Sequence, residues 1–314
     1  MRRSLVALAA AAVAAALVPA AVTTGAQART SASTASSAAG SSPVVVRVAG
    51  PAPSGWQGGV AVPVAPRWWP YGKSKPSAAW SPAWPRPVMF RPTRSGSLSG
   101  LVIALDPGHD IGNATHGRQI NKKYWVGLTK ICNTTGTATN SGYAEATYNF
   151  DVVARLRRIL VAHGATVVVT RDRNTTSTYG PCVGARGAFG KQEHADFMLQ
   201  VHADGGPASG HGFHVIVPAY YKGYTDDHWR ASRTFGAAMA KGMRSRGFVS
   251  ATYLSSVLQV RKDQGGLNTS DVPIVTEETL NMRNAHDARV ATTAAGRQSI
   301  ALGLYAGILR YAAA

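Results

Sequence analysis

Acidic side chains are in short supply. The 314 residues carry 15 Asp and Glu against 33 Lys and Arg, a formal net charge of +18. Between Arg29 and Ser97 there is no acid at all, against eight Lys or Arg. Beyond residue 22 no apolar run approaches the roughly 20 residues that cross a bilayer, so the later chain is expected to be soluble. No Gly-x-Ser-x-Gly elbow is present, which removes the local support for Ser/His/Asp catalysis. There is no His-Glu-x-x-His pair either, so a metal site would have to be assembled from distant segments. The chain has no internal repeat and no nucleic-acid-binding motif.

The first residues carry an address. Met1-Arg2-Arg3 is a short basic start, Leu5 to Val22 is almost wholly apolar and rich in Ala, and Ala26-Gln27-Ala28 is a small-x-small cleavage signature. Residues 1–28 therefore read as a signal peptide, with export and a mature chain from Arg29. The alternative is an uncleaved anchor, which the weakly hydrophobic Ala content disfavours. Loss of Arg2 and Arg3 leaves a charge of +16, of which the eight basic residues up to Ser97 hold half. A chain this basic gathers near polyanions; outside a cell, a wall polymer is the better candidate in the absence of any nucleic-acid motif. The only cysteines are Cys132 and Cys182. An oxidising compartment favours their pairing over two buried thiols.

Residues 29–97 read as a disordered or semi-extended linker. Arg29 to Gly40 is Ala, Ser and Thr with little to bury. Eleven prolines follow between Pro43 and Pro92, together with five of the seven tryptophans: Trp56, Trp68, Trp69, Trp80 and Trp84. Proline removes backbone donors and favours extended chain. The tryptophans either pack on the folded domain or stack on sugar rings.

A single folded domain is expected over 98–314. Leu101 to Leu105 reads as a buried strand. From Glu145, Ala146, Phe150, Val153, Leu156 and Leu160 recur at helical spacing until Gly164. Thr166–Thr170, Phe197–Val201, Gly212–Val217, Tyr253–Val260 and Val272–Thr276 read as strands. Ala185–His194, Trp229–Arg246 and Asp287–Tyr311 read as helices, the last with a break near Gly296. Strands alternating with helices imply an α/β layered domain whose mostly parallel central sheet is flanked by helices.

Open α/β sheets place ligands at the carboxyl ends of their strands. His109 follows the first strand in Leu105-Asp106-Pro107-Gly108-His109, His202 ends the Phe197 strand, and Glu278 follows the Val272 strand. Glu145 opens a helix, where the dipole favours its carboxylate. His109, Glu145 and His202 form the donor set of a catalytic zinc site with one position left for water. Glu278 is the candidate general base and acid. Spacing alone leaves blander roles open, since a histidine after a strand is often a hydrogen-bonded loop residue and a helix-start glutamate needs no metal. Glu277 adjoins Glu278, but strand neighbours point to opposite faces, so one of the two reaches the site. Asp204 either orients His202, contacts substrate or serves a turn. Asp106 reads as turn and supporting structure. Arg171 binds a peptide carboxylate or makes a surface ion pair. His211 and His214 read as structural.

In this order, Leu105–His109, Glu145, His202-Ala203-Asp204 and Pro273–Glu278 resemble the zinc-dependent N-acetylmuramoyl-L-alanine amidases of the amidase 3 type. The exported actinobacterial members are the closest in pattern, through Gly117-Arg118-Gln119, Thr137–Tyr143, Gly180-Pro181-Cys182, His202–Gly210 and Asn281-Met282-Arg283-Asn284. The resemblance spans roughly 100 to 311. It implies zinc ligation by His109, Glu145 and His202, proton transfer by Glu278 and a Cys132–Cys182 disulfide. It further implies hydrolysis of the amide between N-acetylmuramic acid and the L-alanine of the stem peptide. Leu280 departs from the pattern, which has glycine there. The alternatives are a zinc peptidase acting within the stem peptide and a wall-binding protein without catalysis. Peptidoglycan is the expected partner, with anionic wall polymers drawn to the basic surface and no nucleic acid. The protein is expected to be monomeric, to act in the extracytoplasmic cell wall, and to insert in no membrane after signal cleavage.

Overall fold

A computed structural model describes residues 44–47 and 80–314. The expected signal peptide and most of the expected linker lie outside the described residues. Among those residues no helix is long and apolar enough to cross a membrane.

Along the chain run β1 (Val44–Arg47), β2 (Val88–Arg91), β3 (Val102–Pro107), a 3-10 turn (Ile111–Thr115), the short α1 (Gly117–Ile120), and β4 (Lys123–Trp125) with β5 (Thr129–Ile131). Then follow α2 (Glu145–Ala162), β6 (Thr166–Val169), α3 (Val183–Gln192), β7 (Phe197–Asp204), β8 (His214–Pro218) and α4 (Trp229–Arg244). The chain closes with β9 (Leu258–Arg261), α5 (Gly265–Asn268), β10 (Ile274–Asn281), α6 (Ala285–Thr292) and α7 (Ala294–Ala312). The strands β1-β2-β6-β3-β7-β10-β8-β9 form one sheet in that order, and β4 and β5 make a separate antiparallel hairpin. The centre, β6-β3-β7-β10, is parallel. Strands β2 and β8 join it antiparallel, and β9 runs parallel to β8.

Period-two alternation sorts each strand's side chains between two cores. Ile103 and Leu105 of β3, and Leu199, Val201 and Ala203 of β7, enter the larger core under α2, α4 and α7. Ala104 and Met198 enter the smaller core, with Phe189 of α3 and Leu267 of α5. Helix α2 forms where its spacing predicts: Ala146, Val153, Leu156 and Leu160 are buried, and Gly164 at φ 93° stops it. At roughly 1.5–3 kcal/mol per large apolar side chain, that stripe fixes the helix on the sheet. The break in the closing helix falls at Thr293, three residues before Gly296, where the Thr293 hydroxyl accepts from the Gly296 N–H at 3.1 Å and caps a new helix.

The boundary expected at residue 97 is too late. Val88–Arg91 is a strand in register with Val167–Val169 of β6. Trp80 and Trp84 are buried, edge to face at 5.6 Å, with Trp80 also 6.0 Å from Phe189. The last part of the Pro-rich segment thus belongs to the folded unit. Four residues between Pro87 and Pro92 suffice for a short strand, with the prolines just outside it where no ladder hydrogen bond is lost.

Candidate active site

Two rungs of the sheet build the floor, on the face that carries α3 and α5. Asp106, Gln200 and Thr276 stand in register on β3, β7 and β10. Their side chains are linked, with Gln200 Nε2 donating to Asp106 at 3.0 Å and Thr276 Oγ1 donating to Gln200 Oε1 at 2.9 Å. Asp106 also takes a hydrogen bond from buried Arg186. Two residues further on lies the functional rung: His202, Glu278 and His214 are direct partners across β7, β10 and β8. Directly opposed residues share a face, so the three side chains leave the sheet together. Glu278 therefore lies within β10 rather than after it.

His109 reaches this rung from the loop after β3. The Gly108 N–H donates to Val201 O at 2.9 Å, which turns the chain over the sheet edge. His109 itself sits at φ 57°, a region non-glycine residues rarely occupy and one found at sites the surrounding structure over-determines. Its Nδ1 faces Asn133 Oδ1 at 3.2 Å and Thr134 O at 3.1 Å, which leaves Nε2 3.3 Å from Glu145 Oε2. Glu145 opens α2 and bends its carboxylate over the sheet edge. Oε1 lies 3.0 Å from His202 Nδ1 and accepts from Asn149 Nδ2 at 3.1 Å and Ala203 N at 3.2 Å; Oε2 accepts from Thr137 N at 2.9 Å. The two imidazoles meet edge to face at 4.8 Å. Two glycines leave this room. A Cβ on Gly108 would collide with the His202 ring, and one on Gly136, at φ 78°, would stand 2.6 Å from Glu145 Oε2.

Charge follows geometry. Burial alone would raise the Glu145 pKa, but His109 and His202 beside it outweigh that and hold the carboxyl well below its usual range. Burial would lower His109, yet the Glu145 charge wins and raises it. At His202 burial dominates and lowers the pKa. Glu278 is raised well above normal by burial and then by the charges of Glu145, Asp204 and Glu277. His214, beside it, is pushed down by burial to about 4 and is neutral at pH 7.

One ligand atom each from His109, Glu145 and His202 lies within 4.8 Å of the others. The donor set fits a zinc ion on its chemistry. Glu145 is a buried carboxylate whose ion-pair partners among the described residues are two imidazoles, and a buried charge of that kind calls for a cation. His109, His202 and Glu278 share one cavity of about 330 Å³ with Asn133, Gln200 and Thr276.

Other expectations are settled differently. Cys132 and Cys182 are disulfide-bonded. Glu277 turns into the opposite face, fully buried, with neither oxygen hydrogen-bonded. Arg171 is neither a surface ion pair nor exposed to a peptide. It is 1 % exposed and donates to the carbonyls of Pro107, Ala146 and Arg173, bracing the loop before His109 against α2. Asp204 accepts from Tyr253 OH at 2.9 Å and from Gly205 N at 2.7 Å, with no bond to His202. Leu280 is buried in the larger core, and its φ is not positive, so the backbone here needs no glycine. Asn133, Thr134, Thr137 and Asn149, which hold the candidate ligands, were not anticipated. Asn149 alone carried a signal, four residues after Glu145 on one helix face.

The family model for N-acetylmuramoyl-L-alanine amidases, Amidase_3, matches residues 103–310. N-acetylmuramoyl-L-alanine amidase Rv3717 of Mycobacterium tuberculosis is 35% identical over 219 residues, covering 69% of this chain and 88% of that protein. The crystal structure of the N-acetylmuramyl-L-alanine amidase Ami1 from Mycobacterium smegmatis superposes with a TM-score of 0.64 at 31% identity, covering 69% of this chain and 98% of that one. The apo form of Ami1 from Mycobacterium abscessus gives 0.64 at 34%, covering 68% and 99%. The match takes in every residue of the cavity floor and all three candidate ligands, and the chain belongs to the N-acetylmuramoyl-L-alanine amidase family.

Proposed function

We propose that this protein is an exported zinc-dependent peptidoglycan hydrolase. It cleaves the amide between the lactyl group of N-acetylmuramic acid and the L-alanine of the stem peptide. The observation that carries this reading is the convergence of His109, Glu145 and His202 beside Glu278 in one cavity, in a chain of this family.

His109, Glu145 and His202 would hold the zinc, which when bound supplies Lewis acidity that lowers the pKa of water and polarises a carbonyl. The protein's own groups do the rest. Asn133 Oδ1 and Thr134 O face His109 Nδ1 and aim its other nitrogen at Glu145. The links through Asp106, Gln200 and Thr276 fix the rung below. Glu278 accepts the proton of the attacking water and returns it to the alanine nitrogen as the C–N bond breaks. Burial, followed by the charges of Glu145, Asp204 and Glu277, raises this carboxyl, which favours its holding the proton between the two transfers.

The leader-like residues 1–28 and the charge of +18 support export and retention on an anionic wall. Burial of Leu280 in the core removes the feature that favoured a wall-binding protein without catalysis. Mass spectrometry of muropeptides incubated with the zinc-loaded protein and with Glu278→Ala tests the proposal. Intact stem peptide released by the wild type alone supports it. Fragments cut within the stem would replace the amidase by a peptidase, and no product from the wild type would refute catalysis.

A further inference from the structure

The cavity is also lined by Lys130 and Ile131 of β5 and by Gln264, Gly265 and Gly266 at the start of α5. Two cations line the cavity, Arg186 and Lys130. Arg186 is fully committed: its guanidinium bonds Asp106 and the carbonyl oxygens of Pro107, His109, Gly180 and Pro181. The Lys130 ammonium has no hydrogen bond or ion pair among the described residues. Asp263, whose charge it feels, is held by Arg261 in a two-point ion pair at 2.8 and 2.6 Å. Lys130 is half-buried and lines the cavity with no internal partner for its charge among the described residues.

Its backbone is held in place. Lys130 pairs with Tyr124 across the β4–β5 hairpin. Two residues on, Cys132 is bridged to Cys182, its N–H donates to Lys122 O at 2.8 Å, and its carbonyl accepts from Val183 N at 2.8 Å. The next residue, Asn133, contacts His109. One five-residue segment, 130–134, therefore carries both Lys130 and the partner of a candidate zinc ligand on a backbone held at Cys132.

We propose that Lys130 binds a carboxylate of the stem peptide and makes the protein prefer stems with that carboxylate free over amidated ones. This rests on the amidase reading above. The scissile amide must lie at His109, His202 and Glu278, and the muramic acid side of it offers no charge once the lactyl group is amide-linked. Apart from the C-terminal carboxylate that every linear stem carries, the peptide side offers two carboxylates: the α-carboxylate of the γ-linked second residue and the side-chain carboxylate of a third-residue diamino dicarboxylic acid. A neutral amide in place of either would leave the lysine unpaired, and a charge-assisted hydrogen bond is worth more than a neutral one.

The test uses the zinc-loaded protein and three N-acetylmuramoyl tripeptides: all carboxylates free, second residue amidated at its α-carboxylate, and third residue amidated at its side-chain carboxylate. Product release gives kcat and KM separately. The wild type is expected to lose roughly tenfold in kcat/KM, mainly through KM, on the substrate amidated at the contacted position. That arm names which carboxylate is read. Lys130→Met is expected to erase the preference, and Lys130→Arg to keep most of it. Equal kcat/KM of the wild type on all three, or a preference that survives in Lys130→Met, overturns the proposal. A wild type that releases no stem peptide from any of them removes the amidase reading, and this inference with it.

Discussion

Glu277 and Glu278 are adjacent on β10 and leave the sheet on opposite faces, one into an apolar core and the other into the cavity that holds His109 and His202. The two carboxyls therefore serve different ends. Glu278→Ala is expected to cut kcat by on the order of 10²–10⁴, the usual contribution of a placed acid–base group, while zinc content measured by elemental analysis stays at the wild-type level. Parallel loss of zinc and activity would reassign Glu278 to metal binding.

Glu277 instead makes stability depend on pH. Burial raises its pKa well above normal and nothing bonds either oxygen. Below about pH 4.3, the unfolded value, both states keep the proton. Above it the unfolded chain releases the proton and the native chain does not. Stability therefore falls by about 1.4 kcal/mol per pH unit until the native carboxyl ionises. Glu193, pushed up by burial to about 8, acts in the same direction between about 4.3 and about 8. Glu277→Gln should flatten the decline in urea midpoint between pH 5 and 8, and an unchanged slope would exclude Glu277 as a source of it.

Zinc removal should abolish hydrolysis and lower the melting temperature, with both restored on adding zinc back, because a ligand that binds only the native state stabilises it. His109→Ala, Glu145→Ala and His202→Ala should each lose bound zinc. Asn133→Ala, which frees His109 Nδ1 from a partner at 3.2 Å, should weaken zinc affinity roughly 10–100-fold, read by competition with a chelating dye.

The disulfide closes a loop with a sequence separation of 50. Replacing both cysteines with serine should cost about 4 kcal/mol in the chain-entropy description. Because Asn133 follows Cys132, zinc affinity should fall as well. Denaturant unfolding and zinc titration of the double variant measure the two effects, and a loss confined to stability would show that the hairpin holds its place without the bridge.

Much of this was legible in the residues, for physical reasons. Strands β3 and β7 announce themselves as short apolar runs and β6 as a β-branched one, and α2 by its stripe from Ala146 to Leu160. His109 and His202 stand near strand ends, where a parallel sheet gathers its ligands. What escaped was held by contacts with no local pattern. Val88–Arg91 is four residues wide and hidden between prolines. Arg171 read as a peptide-carboxylate contact or a surface ion pair, but its guanidinium is buried and donates to the carbonyls of Pro107, Ala146 and Arg173. Asn133 and Thr134 are loop residues whose role exists only once Gly108 has turned His109 toward them. Leu280 seemed a misfit by comparison with relatives, yet its side chain simply joins the core.

Strand β2 has a practical meaning for anyone shortening this protein. It hydrogen-bonds to β6, so cutting the chain at residue 97 would bare a β-branched edge, Thr166-Val167-Val168-Val169, and expose the faces of Phe189 and Val168 that Trp80 and Trp84 help to cover. An uncovered edge of that composition is a template for pairing with other chains. A fragment that began at residue 98 would keep every candidate catalytic group and still be prone to aggregate, whereas one that began before Trp80 would carry its own guard strand.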